Sequence, residues 1–336
     1  MKVLVTGAGG FLGYGIAARL VERGLQVHSF SRRQYPALSK LGVTQHQGDL
    51  ADANAVAEAT AGCDVVYHLA ARPGSWGSFR SYHDTNVRGT ENVLAACRRH
   101  AVRDLVYTST PSVVSRGTDL EGVDESVAIP SSFKAHYPAT KAIAERLVRR
   151  ANDADLRTVS LRPHLVWGPR DPNLLPRLVE RARAGRLRRI GAEKLIDTTY
   201  IDDAVSAHLL AGDKLQSPDY RDVAGKVYFI SSGTPIGTWT MIDRMLEAAN
   251  LPAVDRKISP RVAYTAGCLF EVVYGALRIE KEPPATRWVV EELSTAHWYD
   301  ISAARRDLGY VPAVSLDEGM QRLAEWWQQR EQNHDG

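Results

Sequence analysis

The sequence predicts an α/β fold, a doubly wound parallel sheet with a smaller, mainly helical lobe in its C-terminal half. Two observations carry this. Through the first half, short apolar runs of strand length alternate with segments of helical period, a pattern that sets parallel strands side by side with crossover helices between them. In addition, the glycine-rich stretch "TGAGGFLGYG" (6–15) stands directly behind the apolar "MKVLV" and in front of a helix-like segment. The 336 residues allow one large α/β domain with an elaborated second lobe, or two domains.

Taken in order, the first strand is read over Lys2 to Thr6. The first helix runs from Phe11 to Arg23, where Ile16, Leu20 and Val21 keep the helical period. Further strands are read at "QVHSF" (26–30), "VTQHQ" (43–47), "DVVYHLA" (64–70), "DLVYTST" (104–110) and "RTVSLRP" (157–163). Helical patterns lie between them near 52–60, 85–100 and 138–151. Ligands of such sheets bind beyond the carboxyl ends of the strands. Chemistry is therefore expected around Gly7, Ser31, Ala70, Thr110 and Pro163.

Five of the ten residues in the first turn are glycine. Without a Cβ they let a ligand approach backbone N–H groups at the positive end of a helix, which is the cradle for a dinucleotide pyrophosphate. The spacing Gly7, Gly10, Gly13 is G-x-x-G-x-x-G, and the apolar strand before it and the helical period after it favour binding over a plain tight turn.

Composition narrows the classes. Hydrophobic residues make up 44%, enough for an ordinary soluble core, and a net charge of +3 gives no bulk electrostatic case for nucleic acid. Cys63, Cys97 and Cys268 are scattered, with no C-x-x-C and no histidine at metal spacing. Reduced thiols in a cytoplasm and no metal site are expected. Met1 leads straight into the first strand, so no signal peptide is expected.

"YPATKAIAE" (137–145) places Tyr137 and Lys141 four residues apart, on one face of a helix. An unperturbed phenol has a pKa of about 10, and a nearby ammonium is expected to lower it. "YTSTPSV" (107–113) supplies hydroxyls at a strand end, Ser109, Thr110 and Ser112, able to grip a substrate carbonyl.

These pieces, in this order, resemble the extended short-chain dehydrogenase/reductase family along essentially the whole chain, which implies a Rossmann fold. The family's glycine motif matches Gly7, Gly10 and Gly13, with Phe11 and Leu12 at the helix start; its adenine-contacting pair matches Asp49 and Leu50. The loop after its fourth strand matches His68 to Ala71, with Ala70 and Ala71 against the cofactor, and its helix asparagine matches Asn86. Its catalytic hydroxyl falls on Thr110, with Ser109 and Ser112 as neighbours left open. Its proton donor and ribose-binding lysine fall on Tyr137 and Lys141, and its nicotinamide contact on Pro163. The resemblance implies a dinucleotide domain over 1–165 plus about 200–232, and a substrate lobe over about 166–199 plus 233–336.

At the end of the second strand, where an NAD enzyme of this fold carries an acid, stand Ser31, Arg32 and Arg33. A carboxylate repels a 2′-phosphate and a guanidinium binds it, so NADP(H) is the expected cofactor.

The second half speaks to the substrate. "AYTAGCLFEVVYGAL" (263–277) is apolar except for Glu271 and too short to span a bilayer. It reads either as a lid or groove for a lipid-like substrate, in touch with a membrane surface or a partner, or as an ordinary core helix. "RLVERARAGRLRRIG" (177–191) carries six arginines against one glutamate and reads as a solvated face, or as a dock for an acidic partner. "YTSTPSVV", "TRWVVEELSTAHWY" (286–299) and "ARRDLGYVP" (304–312) resemble the 3β-hydroxysteroid dehydrogenase branch. Within it, the chain is most similar to the bacterial reductases of long-chain 2-alkyl-3-oxoalkanoic acids in olefin biosynthesis. That resemblance implies NADPH-dependent reduction of the 3-keto group, a product passed to a β-lactone synthetase, and a homodimer beside the other enzymes of the pathway. The alternatives are a 3β-hydroxysteroid or 4α-carboxysterol dehydrogenase, a nucleotide-sugar epimerase, and a non-catalytic NADPH-sensing regulator.

Overall fold

The computed structural model describes residues 1–332. Seven strands form one sheet: β1 (Lys2–Thr6), β2 (Gln26–Ser31), β3 (Thr44–Gln47), β4 (Val65–His68), β5 (Asp104–Thr108), β6 (Arg157–Pro163) and β7 (Val227–Ile230). Their spatial order is β7-β6-β5-β4-β1-β2-β3, and every pairing is parallel. The order reverses between β1 and β4, so the loops after these two strands part and open a crevice at the sheet's carboxyl edge.

Parallel strands need both faces covered, which explains why β1, β4 and β7 read as near-continuous apolar runs. Val3, Leu4 and Val5 are buried to completion. One face is covered by the helices Phe11–Glu22 and Ile201–Gln216, which touch at Gly15 and Val205. The second of these helices has Ala204, Ala207, Ala211 and Gly212 among its buried positions, and its His208 meets Thr108 of β5 at 2.9 Å. The other face carries Ala53–Thr60, Gly89–Arg99 and His136–Arg150. Asp52 starts the first of these by accepting from the N–H groups of Asn54 and Ala55.

The sequence-based boundaries shift where turns intervene. β4 stops at His68 and β5 at Thr108, so Leu69–Ala71 and Ser109–Thr110 are loop. His68 itself belongs to the strand, buried between Thr6 Oγ1 at 2.7 Å and Thr90 Oγ1 at 3.0 Å. The helix expected over 85–100 starts earlier, as Phe79–His83, passes through a π-turn, Asp84–Arg88, and continues as Gly89–Arg99.

The smaller lobe is built on a four-stranded sheet ordered Ile236–Gly237, Leu195–Ile196, His297–Tyr299, Leu120–Val123. Around it lie the helices Leu174–Arg183, Thr238–Ala248, Pro260–Ala276 and Arg287–Ser294, with a core of Ile190, Trp239, Ile242, Leu246, Val254, Ala263 and Val290. The apolar stretch 263–277 is not the ordinary core helix that was one of its two readings. Of Pro260–Ala276 only Ala263 and Gly267 are buried, whereas Val262, Leu269 and Val272 are more than half exposed. Tyr264, next to Ala263, packs partly buried against the lobe's core. Among the described residues, no helix is long and apolar enough to cross a membrane. In the arginine-rich stretch, Arg177 pairs with Glu282 and Arg183 with Glu331.

Candidate active site

The crevice between the loops after β1, β2 and β4 holds a cavity of about 690 Å³. Gly7, Gly10, Ser31, Arg32, Asp49, Leu50, Ala70 and Ala71 line it, all of them expected cofactor contacts, together with Arg33 and Tyr35. Gly7 has φ +75°, and a Cβ there would lie 2.9 Å from the Ala70 nitrogen, so the loops after β1 and β4 can approach only because this residue has no side chain. Gly13 serves packing instead: its Cβ would lie 2.8 Å from the Gly7 carbonyl carbon. Phe11, Leu12, Gly13, Asn86, Tyr137, Lys141 and Pro163 do not line the cavity. Phe11 faces a neighbouring cavity with Tyr14 and Tyr35.

The shape and donors of the cavity fit a dinucleotide. Helix Phe11–Glu22 points its N-terminus at it with no side-chain cap, leaving backbone N–H groups free for an anion. At the end of β2, the Ser31 hydroxyl is buried without a hydrogen-bond partner. Arg32 and Arg33 follow it, and Arg33 lies 5.0 Å from the Tyr35 ring centroid.

Beside this cavity, helix His136–Arg150 starts at the carboxyl edge of the sheet, so Tyr137 sits in its first turn and Lys141 one turn inward. Thr110 caps the short 3₁₀ turn Pro111–Val114, accepting from the Ser112 N–H at 3.2 Å. Burial pushes the Tyr137 phenol up to about 12, offset in part by a hydrogen bond with Thr110. The expected lowering by Lys141 is absent: desolvation dominates, and the ammonium is directed elsewhere. Lys141 is turned toward β5: its ammonium donates to the Tyr107 hydroxyl at 2.7 Å and the Thr108 carbonyl at 2.6 Å. Burial brings Lys141 down to about 7, against the pull of Glu145.

Of the three hydroxyls left open, Ser109 is taken. It is buried and donates to Glu145 at 2.6 Å. Asn86, expected against the cofactor, fastens the protein to itself: its amide donates to Thr140 Oγ1 at 3.0 Å and to the Arg72 carbonyl at 3.2 Å, and its oxygen accepts from the Arg72 N–H at 2.7 Å. Pro163 ends β6 beside Ile230. Three residues of the site were not read from the sequence: Tyr107, which meets Lys141; Glu145, the next turn of the same face; and Trp288, whose ring lies 6.3 Å from that of Tyr137. Glu145 had a signal, since it follows Lys141 by four residues in the same motif. Trp288 had none, because it arrives from a distant helix.

A glycine cradle at a topological switch point, with a phenol, a lysine and a hydroxyl set beside it, defines an oxidoreductase of the extended short-chain dehydrogenase/reductase class, working with a nicotinamide cofactor. Residues 4–257 match the 3-beta hydroxysteroid dehydrogenase/isomerase family. The chain belongs to that family. It is 52% identical to the 2-alkyl-3-oxoalkanoate reductase of Stenotrophomonas maltophilia over 326 residues, covering 96% of this chain and 98% of the relative. It is 45% identical to the 2-alkyl-3-oxoalkanoate reductase of Shewanella oneidensis, covering 95% and 84%. The UDP-glucuronic acid 4-epimerase of Bacillus cereus, solved in complex with NAD, shares the fold with a TM-score of 0.74 at 25% identity, covering 98% of this chain and 99% of the other.

Proposed function

We propose that the chain is an NADPH-dependent reductase converting a long-chain 2-alkyl-3-oxoalkanoic acid to the 2-alkyl-3-hydroxyalkanoic acid. The observation that carries this reading is the 52% identity, end to end, with a relative of that name. The preference for the phosphorylated cofactor is inferred from Ser31, Arg32 and Arg33 at the rim of the dinucleotide cavity, where no carboxylate stands to repel a 2′-phosphate.

When bound, the cofactor supplies the hydride that the ketone carbon accepts. Tyr137 gives its phenolic proton to the ketone oxygen as that oxygen becomes an alkoxide. A phenol held at about 12 is fully protonated at neutral pH, the state a donor needs. Its place in the first helical turn then steadies the phenolate that remains. Thr110 donates to the same substrate oxygen. Lys141, one helical turn inward of the phenol, holds the ribose. In this reading the dinucleotide domain takes in 1–165 and about 200–232, and the remaining residues form the substrate lobe. The protein works as a homodimer beside enzymes that consume its 3-hydroxy acid product.

The test is a spectrophotometric assay in the oxidative direction, because free 3-keto acids decarboxylate. Purified protein receives NADP⁺ or NAD⁺ with a long-chain 2-alkyl-3-hydroxy acid or a 3β-hydroxysterol. Reduction of NADP⁺ with the fatty acid is expected, with kcat at least about 100-fold lower in Tyr137→Phe. Turnover with the sterol alone moves the substrate to the steroid branch, and a preference for NAD⁺ overturns the assignment of the arginines.

A further inference from the structure

The loop leaving β4 serves two cavities. Ala70 and Ala71 line the dinucleotide cavity, and the next residue, Arg72, lines a second cavity of about 860 Å³. This one opens between residues 72–81 and helix Pro260–Ala276, and reaches Ala135 and His136 just before Tyr137. Arg72 is held in fixed relation to Tyr137. Asn86 clasps the Arg72 backbone and donates to Thr140, and the Thr140 hydroxyl reaches the Tyr137 carbonyl at 3.1 Å. From the side-chain direction, the Arg72 guanidinium lies 5.1 Å from the centroid of the Tyr82 ring, which packs against His136 with centroids 6.2 Å apart.

The guanidinium has no carboxylate partner among the described residues, and its Nε is buried with no acceptor. Of the other charges around this cavity most are committed, while Arg278 and the carboxylate of Glu280 line it without an ion pair among the described residues. Lys134 pairs with Glu291, Arg287 with Glu271, and Glu282 is held by Ser75 and Arg177. Arg278 stands at the outer end, where Leu277 is exposed. A buried donor without an acceptor is unfavourable until an acceptor arrives, and a planar guanidinium receives a carboxylate through two parallel hydrogen bonds. Val272, Tyr274 and Ile279 give the wall apolar stretches among its polar residues.

We propose that Arg72 is the anchor for the substrate's carboxylate, a specificity-determining residue that selects acids over neutral ketones of the same length. This rests on the reading of the site as one for 3-oxo acids, whose carboxylate is one carbon removed from the reacting ketone. Arg72, at the junction of the two cavities, holds that group while the apolar stretches of the wall take the alkyl chains. A ketone or ester without the anion leaves the guanidinium without a charge partner, which is how the site discriminates.

The experiment measures binding of a long-chain 2-alkyl fatty acid lacking the 3-oxo group, and of its methyl ester, to cofactor-loaded full-length protein by calorimetry. Wild type is expected to favour the acid by roughly 10- to 100-fold. Arg72→Gln brings the acid to the level of the ester, and Arg72→Lys keeps part of the preference. General damage to the fold weakens both ligands alike and leaves their ratio unchanged. A wild type that binds the two equally, or binds neither, overturns the proposal, as does a preference for acid that survives in Arg72→Gln. Turnover of the 3-hydroxy acid is read separately. Its absence with the acid preference intact overturns the proposed reaction and leaves Arg72 as the anion anchor.

Discussion

Glu145 and Arg162 face each other in the interior directly behind the site, the carboxylate accepting from Arg162 Nε at 2.8 Å and Nη2 at 2.6 Å. Both side chains are essentially without solvent contact, 0% and 2% exposed. The same carboxylate accepts from Ser109 on the loop before Thr110, and it follows Lys141 by one helical turn. One ion pair therefore ties β6, the loop after β5 and the site helix together. Removing one partner of such a pair leaves the other as an uncompensated buried charge.

Glu145→Gln is accordingly expected to destabilise the fold by about 3–5 kcal/mol, read from urea unfolding. A loss below about 1 kcal/mol would place the pair in a more solvated setting than its geometry indicates.

Burial sets the pH response of Lys141. Its ammonium is brought down from 10.5 to about 7. Between those values the unfolded chain keeps a proton that the native state has released. The linkage slope is then positive, and this residue makes stability rise with pH across that window. Lys141→Met removes the contribution. The expected result is a smaller rise, or a steeper fall, in unfolding free energy between about pH 7 and 9.5 than in wild type. Comparing the two proteins cancels the opposing effect of buried Cys97, whose thiol burial pushes up to about 12. Parallel curves would mean that Lys141 stays charged in the folded protein.

Gly13→Ala tests the cradle. The new methyl would come within 2.8 Å of the Gly7 carbonyl carbon and 2.9 Å of the Ala8 Cα, both backbone. The first turn has to move, at about 1–3 kcal/mol. At least a tenfold loss of NADPH affinity is expected, read by titrating the cofactor's fluorescence. Unchanged affinity would mean that helix and loop separate without disturbing the pyrophosphate site.

Much of this was legible in the sequence because it is local. The glycine turn, the pair Tyr137 and Lys141, and the alternation of strands and helices are patterns within a few residues of one another, and each fixes a local conformation. Other features required the assembled fold. Trp288 reaches Tyr137 from more than a hundred residues away in sequence. The rise of the Tyr137 pKa depends on burial, which spacing does not report. Helix Pro260–Ala276 allows two readings for a related reason: its apolar composition fits a core helix as well as a lid or groove, and the fold buries only Ala263 and Gly267. Composition gives how apolar a helix is, and the packing around it decides which side is buried.

The last prediction concerns cofactor choice. Ser31 ends β2 with a buried hydroxyl that has no partner, and Arg32 and Arg33 follow it on the rim of the dinucleotide cavity. In Ser31→Asp a carboxylate would occupy the position from which a 2′-phosphate is to be received, and it would also accept from the two hydroxyls of an unphosphorylated ribose. Repulsion in one case and new hydrogen bonds in the other act in the same direction. The ratio of NADPH to NADH affinity is expected to fall by about 10- to 100-fold, measured by titrating each cofactor into wild type and variant. Arg32→Ala should lower NADPH affinity while leaving NADH nearly unchanged, because the guanidinium has no anion to meet on the unphosphorylated ribose. If both variants keep the wild-type ratio, the phosphate is recognised elsewhere, or the protein does not distinguish the two cofactors.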